Sequence, residues 1–388
     1  MVDRELDDIA QCCVKCALCL PGCPVYQQLL MEEASPRGKV QLARHFLGGN
    51  LAENSELSME LAESFFTCTT CGACFYACPS QIEIERIIQG GRERLFASGV
   101  IPGTITALGD TILKTHNVYA AKEKDRIATY PPHIKERMES DQLTNKADRL
   151  LFMGCVPSYL DMKIVPSFLR ILEAAGIDYT LLGAKEICCG LPLYLMGDRQ
   201  KFEENAKELI ALIKATGAKE LVTPCAGCYK TFVKYYPEAG NLGMEVFHSV
   251  HYIKKLLDEK KIQLNGSPGK RVTYHDPCDL GRTFQIFDEP REILKALPHI
   301  EFVEMPGNRM AARCCGGGGN VLALKPGLAA DMAAERVRDA MEVGAEIIVS
   351  SCSACKDNLR KGLKAIPKEQ RPKIRVMDIT EIVAESIT

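Results

Sequence analysis

Tryptophan is absent from this 388-residue chain, and that absence excludes nothing by itself. Other absences exclude more. No stretch approaches the roughly 18 consecutive apolar residues of a membrane-spanning helix. The opening MVDRELDDIA is acidic and lacks the basic and apolar regions of a secretory signal, so the cytoplasm is the expected compartment. No G-x-G-x-x-G stands between a strand and a helix, which removes the usual signature of flavin or nicotinamide binding. The net charge is −2, leaving no electrostatic case for nucleic acid or an anionic membrane as partner.

What is abundant is cysteine, with nineteen residues. A disulfide scaffold is excluded by the odd number, the large size and the lack of a secretion signal. Disulfides are rare in the cytoplasm, where clustered cysteines bind metal or carry redox chemistry. Hydrophobic residues make up 46% and charged residues 25%, the composition of an ordinary globular protein that needs no cross-links to fold. At roughly 100–200 residues per domain, two or three domains are expected.

Eighteen of the nineteen cysteines fall into four sets. Cys13, Cys16, Cys19 and Cys23 precede Pro24, and Cys68, Cys71, Cys74 and Cys78 precede Pro79. Both runs match C-x2-C-x2-C-x3-C-P, the bacterial ferredoxin spacing for a [4Fe–4S] cube. Three closely spaced thiolates serve three iron corners, and the fourth points away to the other cube. Cys13, Cys16, Cys19 and Cys78 are therefore expected around one cubane, and Cys68, Cys71, Cys74 and Cys23 around the other. Structural zinc would use paired C-x2-C hooks instead. Between the runs, Ser35-Pro36 opens a helix that Gly48-Gly49 closes, and Leu51 to Phe66 is a second apolar-periodic stretch, so the module is α-helical.

The remaining ten cysteines form a repeat. One set is Cys155, Cys188, Cys189, Cys225 and Cys228; the other is Cys278, Cys314, Cys315, Cys352 and Cys355. Cys278 lies 123 residues after Cys155, Cys314 lies 126 after Cys188, and Cys352 and Cys355 lie 127 after Cys225 and Cys228. Neighbouring residues agree: EICCG against ARCCGGG, and LVTPCAGC against IIVSSCSAC. This is an internal duplication.

Each repeat alternates short β-rich runs with helical periodicity. In the first, Ile164, Phe168 and Leu172 share a helical face, Tyr179 to Leu182 reads as a strand, Phe202, Leu209 and Ile213 mark the next helix, and Leu221 to Thr223 is a strand. The second repeats this with Phe302 to Met305, then Met332, Val337 and Met341, then Ile347 to Val349. Strands alternating with helices imply a parallel sheet with ligand sites at the strand ends. Five thiolates with an adjacent pair suit a cluster more irregular than one cube. Gly316 to Gly319 fits close backbone approach, with N–H groups turned toward sulfur. On residue chemistry alone, zinc in the ten-cysteine sites remains the alternative.

These residues resemble the cysteine-rich "CCG" domain, duplicated behind a double-cluster ferredoxin module, over nearly the whole chain. The same layout is found in the D subunit of heterodisulfide reductase and in the iron–sulfur subunits of glycolate oxidase, anaerobic glycerol-3-phosphate dehydrogenase and lactate-utilisation proteins. The resemblance implies an α-helical ferredoxin module (1–102), a linker (103–147), and two tandem α/β CCG domains with parallel sheets (148–266 and 267–388). It implies two cubane and two non-cubane [4Fe–4S] clusters, with zinc in place of one non-cubane cluster as the variant. In heterodisulfide reductases two such clusters face each other across a disulfide and deliver one electron each. The implied function is thus an oxidoreductase subunit of anaerobic metabolism passing electrons from the cubanes to the CCG clusters, where a disulfide is reduced. The alternative is an electron-relay subunit of a flavin-dependent dehydrogenase or of a larger anaerobic reductase. The implied partners are a flavoprotein, a cytochrome b or a reductase complex, with association to a membrane only through such a partner, and a disulfide or dithiol small molecule as ligand.

Some residues stand apart from this pattern. Cys12 lies outside the register and is expected to be an unligated thiol. His275, in YHDPCDLGR, is a candidate proton donor against a structural hydrogen bond. His248 and His251 are expected to be packing residues. Arg37 and Lys39 are expected at a solvated helix N-terminus, with tuning of the nearby cube's potential by their positive charge as the alternative.

Overall fold

The computed structural model describes residues 2–47, 55–139, 147–266 and 270–387. Its N-terminal module is helical. Helices Val2–Gln11, Pro36–Leu47, Ser55–Phe66 and Ile84–Ala97 bury Leu6, Ala10, Val40, Ala43, Phe65, Ile87 and Ile88 against one another. Pro36–Leu47 starts as its sequence signals: Ser35 Oγ accepts the Gly38 N–H at 2.8 Å, and Pro36 supplies the preset first turn. The expected stop at Gly48-Gly49 and the start at Leu51 lie outside the described residues. Helices Val2–Gln11 and Ile84–Ala97 add to the two that the sequence signals.

Two parallel sheets follow. β1 (Arg149–Leu151), β2 (Thr180–Leu181), β3 (Glu220–Thr223) and β4 (Glu245–His248) are ordered β2-β1-β3-β4. β5 (Arg271–His275), β6 (Glu301–Val303), β7 (Ile347–Ser350) and β8 (Arg375–Asp378) are ordered β6-β5-β7-β8. The expected α/β repeats with parallel sheets are present, each completed by an edge strand, β4 or β8, that the sequence does not signal. β4 and β8 are edge strands that leave Glu245 and Arg375 exposed, so neither has the continuous apolar run of a buried parallel strand.

Both faces of the first sheet are covered. Leu150 and Phe152 point into a core shared with Phe202, Leu209 and the helical module, while Leu151 and Met153 point into a core shared with Phe168, Val222 and the second repeat. Each such burial contributes roughly 1.5–3 kcal/mol. Residues 103–139, expected as part of a linker, also contribute to the core. Ile105 and Ile112, on helix Gly103–Thr115, join Leu193 and Met196 of the first repeat, and Tyr130 and Ile134 join Phe168 and Leu169.

The two repeats pack reciprocally. Helix Ile164–Ala174 of the first lies on Ile379–Ser386 of the second, and helix Ser249–Asp258 of the first lies on Asp288–Lys295 of the second. Ile164–Ala174 is the equivalent of Asp288–Lys295, and Ser249–Asp258 that of Ile379–Ser386, so the interface is pseudo-symmetric about a two-fold axis. In such an interface, equivalent residues near the axis meet each other.

The same equivalence appears in the helix caps. His248 caps Ser249–Asp258 in a capping box with His251, and Asp378 caps Ile379–Ser386 in one with Glu381. Burial pushes the Asp378 carboxyl up to about 7, against the hydrogen bonds from Thr380 and the charge of Lys356, which pull it down. A carboxyl raised in the folded state favours the protonated form, so stability is lost as pH rises from about 4 through about 7. Asp378→Asn keeps the cap acceptor and removes the titration. Its apparent thermal midpoint is expected to fall less than that of the parent between about pH 5 and about pH 8. Equal falls in both proteins would contradict this.

Candidate metal centres

Cys13, Cys16, Cys19 and Cys78 line one small cavity with Arg37, and Cys23, Cys68, Cys71 and Cys74 line a second with Lys39. The last cysteine of each run therefore crosses to the other run's cavity. Left-handed backbone at Lys15 and Ala17, and again at Thr70 and Gly72, curls each loop so that successive thiols converge. Cys23 also caps helix Pro24–Leu29 through its sulfur, and burial pushes its thiol up to about 12. A thiol so disfavoured as a free anion suits a ligand whose charge is compensated by metal.

Lys39 corrects the expectation of a solvated helix N-terminus. It is 2% exposed, donates to the Ala34 carbonyl at 2.5 Å and sits in the field of Cys68, Cys23 and Cys74. Arg37 does lie at the surface, pairing with Glu32 at 2.7 Å. The sequence reading missed Arg92, which is fully buried and donates to the carbonyls of Phe65, Phe66, Cys68 and Leu195. Burial lowers even this guanidinium to about 10.

In the repeats, every strand that carries cysteine does so at its carboxyl end. Cys155 and Cys225 follow β1 and β3, and Cys278 and Cys352 follow β5 and β7, the adjacent strands at which each sheet's order reverses. The C-C-G glycines are required by their backbone. Gly190 and Gly316 both have φ +84°, and their N–H groups donate to Cys188 Sγ and Cys314 Sγ at 3.4 Å. Gly316 thus points its N–H at sulfur as expected. Gly318 and Gly319 instead lie against the backbone of Cys68 and Thr69 in the helical module.

Within the first repeat Cys155 touches Cys188, Cys189 touches Cys188 and Cys228, and Cys228 touches Cys225. Within the second, Cys278 touches Cys314, Cys315 lies 3.3 Å from Cys355 between sulfurs, and Cys355 touches Cys352. Two contacts join the sets. Cys225 meets Cys352, its equivalent across the pseudo-two-fold axis, and Cys71 meets Cys314. The helical module therefore adjoins the second repeat's set, and the first repeat's set lies beyond it.

The flanks of the two repeat sites differ. His275 is 1% exposed, and its Nδ1 accepts from Arg336 Nε at 3.3 Å. That places the neutral ring's proton on Nε2, on the side of Cys315 and Cys355, with which His275 forms a group of ligand atoms within 4.8 Å of one another. Phe152 stands at the equivalent place, three residues before Cys155. The first repeat has instead a buried ion pair, Arg126–Glu186 at 2.7 Å, beside Cys155. His248 is buried, pushed down to about 3 by desolvation, and serves as a cap, so it is a neutral structural residue. Cys12 is exposed and its thiol donates to the Asp8 carbonyl at 3.5 Å, outside all four sets.

Eighteen thiols thus converge in four groups, lined by buried cations and backbone donors, an environment made for anionic sulfur clusters. Comparison with known proteins agrees. A family model described as a 4Fe-4S dicluster domain matches residues 9–82, and one described as a cysteine-rich domain, CCG, matches 150–233 and 272–360. The chain is 34% identical over 394 residues to the D subunit of the dihydromethanophenazine:CoB–CoM heterodisulfide reductase of Methanosarcina barkeri, covering 97% of this chain and 93% of that one. This chain belongs to the heterodisulfide reductase D-subunit family. The Methanosarcina acetivorans relative of the same name is 33% identical over 99% of this chain and 94% of its own length. As a member of the family the chain is an iron–sulfur electron-transfer protein, and the relatives are named as subunits of reductases. In fold it is similar to a hypothetical protein of Helicobacter pylori, with a TM-score of 0.58 at 13% identity over 90% of this chain and 68% of that one. Among the described residues, no helix is long and apolar enough to cross a membrane.

Proposed function

We propose that this chain is the disulfide-reducing subunit of a heterodisulfide reductase-type complex, taking electrons from a protein partner and spending them at the junction of its two CCG repeats. The observation that carries this reading is the contact of Cys225 with Cys352 across the pseudo-two-fold axis. It turns two five-cysteine sets toward each other, the arrangement needed to address the two sulfurs of one disulfide. Cleavage of RS–SR′ consumes two electrons and two protons and gives two thiols, and iron–sulfur clusters supply one-electron carriers when bound.

Cys13, Cys16, Cys19 and Cys78 would hold one cubane cluster, and Cys23, Cys68, Cys71 and Cys74 the other. The two CCG sets would hold non-cubane clusters. Clusters so held would adjoin in the order Cys13 site, Cys23 site, second repeat at Cys71–Cys314 and first repeat at Cys225–Cys352, and would supply one-electron transfer along that line. His275 would keep an N–H on the sulfur of Cys315; with its Nδ1 taken by Arg336 it serves as a hydrogen-bond donor to sulfur, and the two protons of the reaction come from solvent. The setting is cytoplasmic, with any membrane contact made by the partner, a cytochrome b or flavoprotein.

One observation favours a pure relay instead. A cleft of about 500 Å³ touches Cys71, Arg282 and the stacked Tyr194–Tyr235 pair but none of the ten CCG cysteines. In that reading the substrate is turned over elsewhere in the assembly.

Two measurements decide. Four four-iron clusters require about sixteen iron atoms per chain, and about eight irons with stoichiometric zinc would remove the non-cubane sites. Mixing the oxidised protein with a thiol such as coenzyme M or coenzyme B is expected to produce a new thiol-dependent paramagnetic signal. With full iron and no such signal, the relay reading stands in place of the reductase.

A further inference from the structure

Arg282 lies four residues after Cys278, on the short helix Gly281–Phe284. It is 4% exposed. Its Nε donates to the Cys71 carbonyl at 2.7 Å, and its Nη1 donates to the carbonyls of Ala312 at 2.6 Å and Met310 at 3.2 Å. Its own carbonyl accepts the hydroxyl of Tyr76. One residue thus fastens the loop carrying Cys71 to the turn after Cys278 and to the segment leading into Cys314. Its Nη2 is buried with no oxygen or nitrogen partner, and the guanidinium borders the sulfurs of Cys71, Cys278 and Cys314.

The repeat supplies an internal comparison. Four residues after Cys155, the equivalent place is Tyr159. The first repeat does not border a ferredoxin-type site, and it has no arginine there. The buried guanidinium near the first repeat's set, Arg126, is paired with Glu186, whereas Arg282 has no carboxylate partner and instead spans a cysteine of the helical module and cysteines of a CCG set.

We propose that Arg282 is the electrostatic bridge between the helical module and the second CCG repeat, hydrogen-bonding toward sulfur at both sites so that their reduction potentials rise together. This rests on the ligand assignment proposed above. A buried cation stabilises each added electron, and a donor on ligand sulfur spreads the negative charge, so both act in the same direction. The fork geometry matters because Nε and Nη1 are already committed to carbonyls on opposite sides of the junction, which a lysine cannot reproduce.

The test is a redox titration of the iron-loaded chain followed by electron paramagnetic resonance. Arg282→Gln is expected to make the Cys23/Cys68/Cys71/Cys74 site and the second-repeat site each about tenfold harder to reduce, about 59 mV per electron. The Cys13 site should not move, and it serves as the internal standard. Unchanged potentials at full iron, or an equal shift at all sites, would overturn the proposal. If the glutamine variant does not hold its iron, Arg282→Lys is expected to load fully and to show a smaller shift of the same sign. Full loading without a shift, or failure of the lysine variant to load, would make Arg282 a packing residue only. An iron content near half in the parent protein would instead sink the ligand assignment and leave no second site to bridge.

Discussion

Replacing Gly319 by valine is expected to uncouple the second repeat from the helical module and to destabilise the chain by about 3–5 kcal/mol, in the range reserved for core disruption and strain. Gly319 has φ +63°, where a β-carbon costs roughly 1–2 kcal/mol. Here the side chain also has nowhere to go. A Cβ at this position would overlap the Cys68 carbonyl oxygen and stand 2.8 Å from Thr69 Cα. Neither side can yield cheaply. The Cys68 carbonyl is held by Arg92 at 2.9 Å, and Asn320, next to the glycine, donates to the Pro192 carbonyl at 3.0 Å. The glycine loop must lift, and Cys314 must leave Cys71. A displacement of about 1 Å at a reacting centre can cost on the order of 100-fold in rate. Rapid-mixing reduction should therefore show the helical module reduced at its normal rate and the second repeat lagging by at least about tenfold. Gly327, where an added methyl would meet no atom within 4 Å, is the matched control, and Gly327→Ala should change neither rate nor stability. Normal transfer in Gly319→Val would mean that the glycine contact does not set the junction.

The four cysteine sets were legible because ligand spacing is a local property. Even the exchange of Cys23 and Cys78 between cavities followed from C-x3-C-P, since a fourth thiol so placed cannot reach the same corner set as its neighbours. The duplication was legible from its 127-residue spacing, but the way the copies face each other was not, because a pseudo-two-fold interface is a matter of which helix faces match. The cations were the main omission. Arg282 reaches its partner Cys71 over 211 residues, and no spacing rule spans such a gap. Lys39 could have been found. Two residues apart on a helix are about 200° apart around its axis, so Arg37 and Lys39 must point to opposite sides. Lys39 shares its face with Ala43 and Phe46, both buried, which marks it as the inward one.

Arg126→Met is expected to cost about as much as Gly319→Val, by a different route. Arg126 and Glu186 are each 1% exposed and paired at 2.7 Å. Glu186 also accepts the N–H groups of Met153 and Gly154, both at 2.9 Å, and so holds the turn between β1 and Cys155. Arg126 donates to the Gly154 carbonyl at 3.3 Å and lies 4.9 Å from the centre of the Tyr159 ring. Removing the guanidinium leaves a carboxylate buried without a counter-charge, which typically costs about 3–5 kcal/mol, on the order of a 10 °C loss in apparent Tm. Because the strained turn is the one that delivers Cys155, iron should leave the first repeat before the others, taking the content from about sixteen toward about twelve per chain. Arg126→Met with Glu186→Gln removes both charges and keeps an acceptor for the backbone, so the double variant should regain most of the stability. A double variant as unstable as the single one would show that Arg126 acts through its packing on Tyr159. Recovery of stability without recovery of iron would instead separate the two roles: the ion pair would hold the fold, and the positive charge itself would hold the cluster beside Cys155.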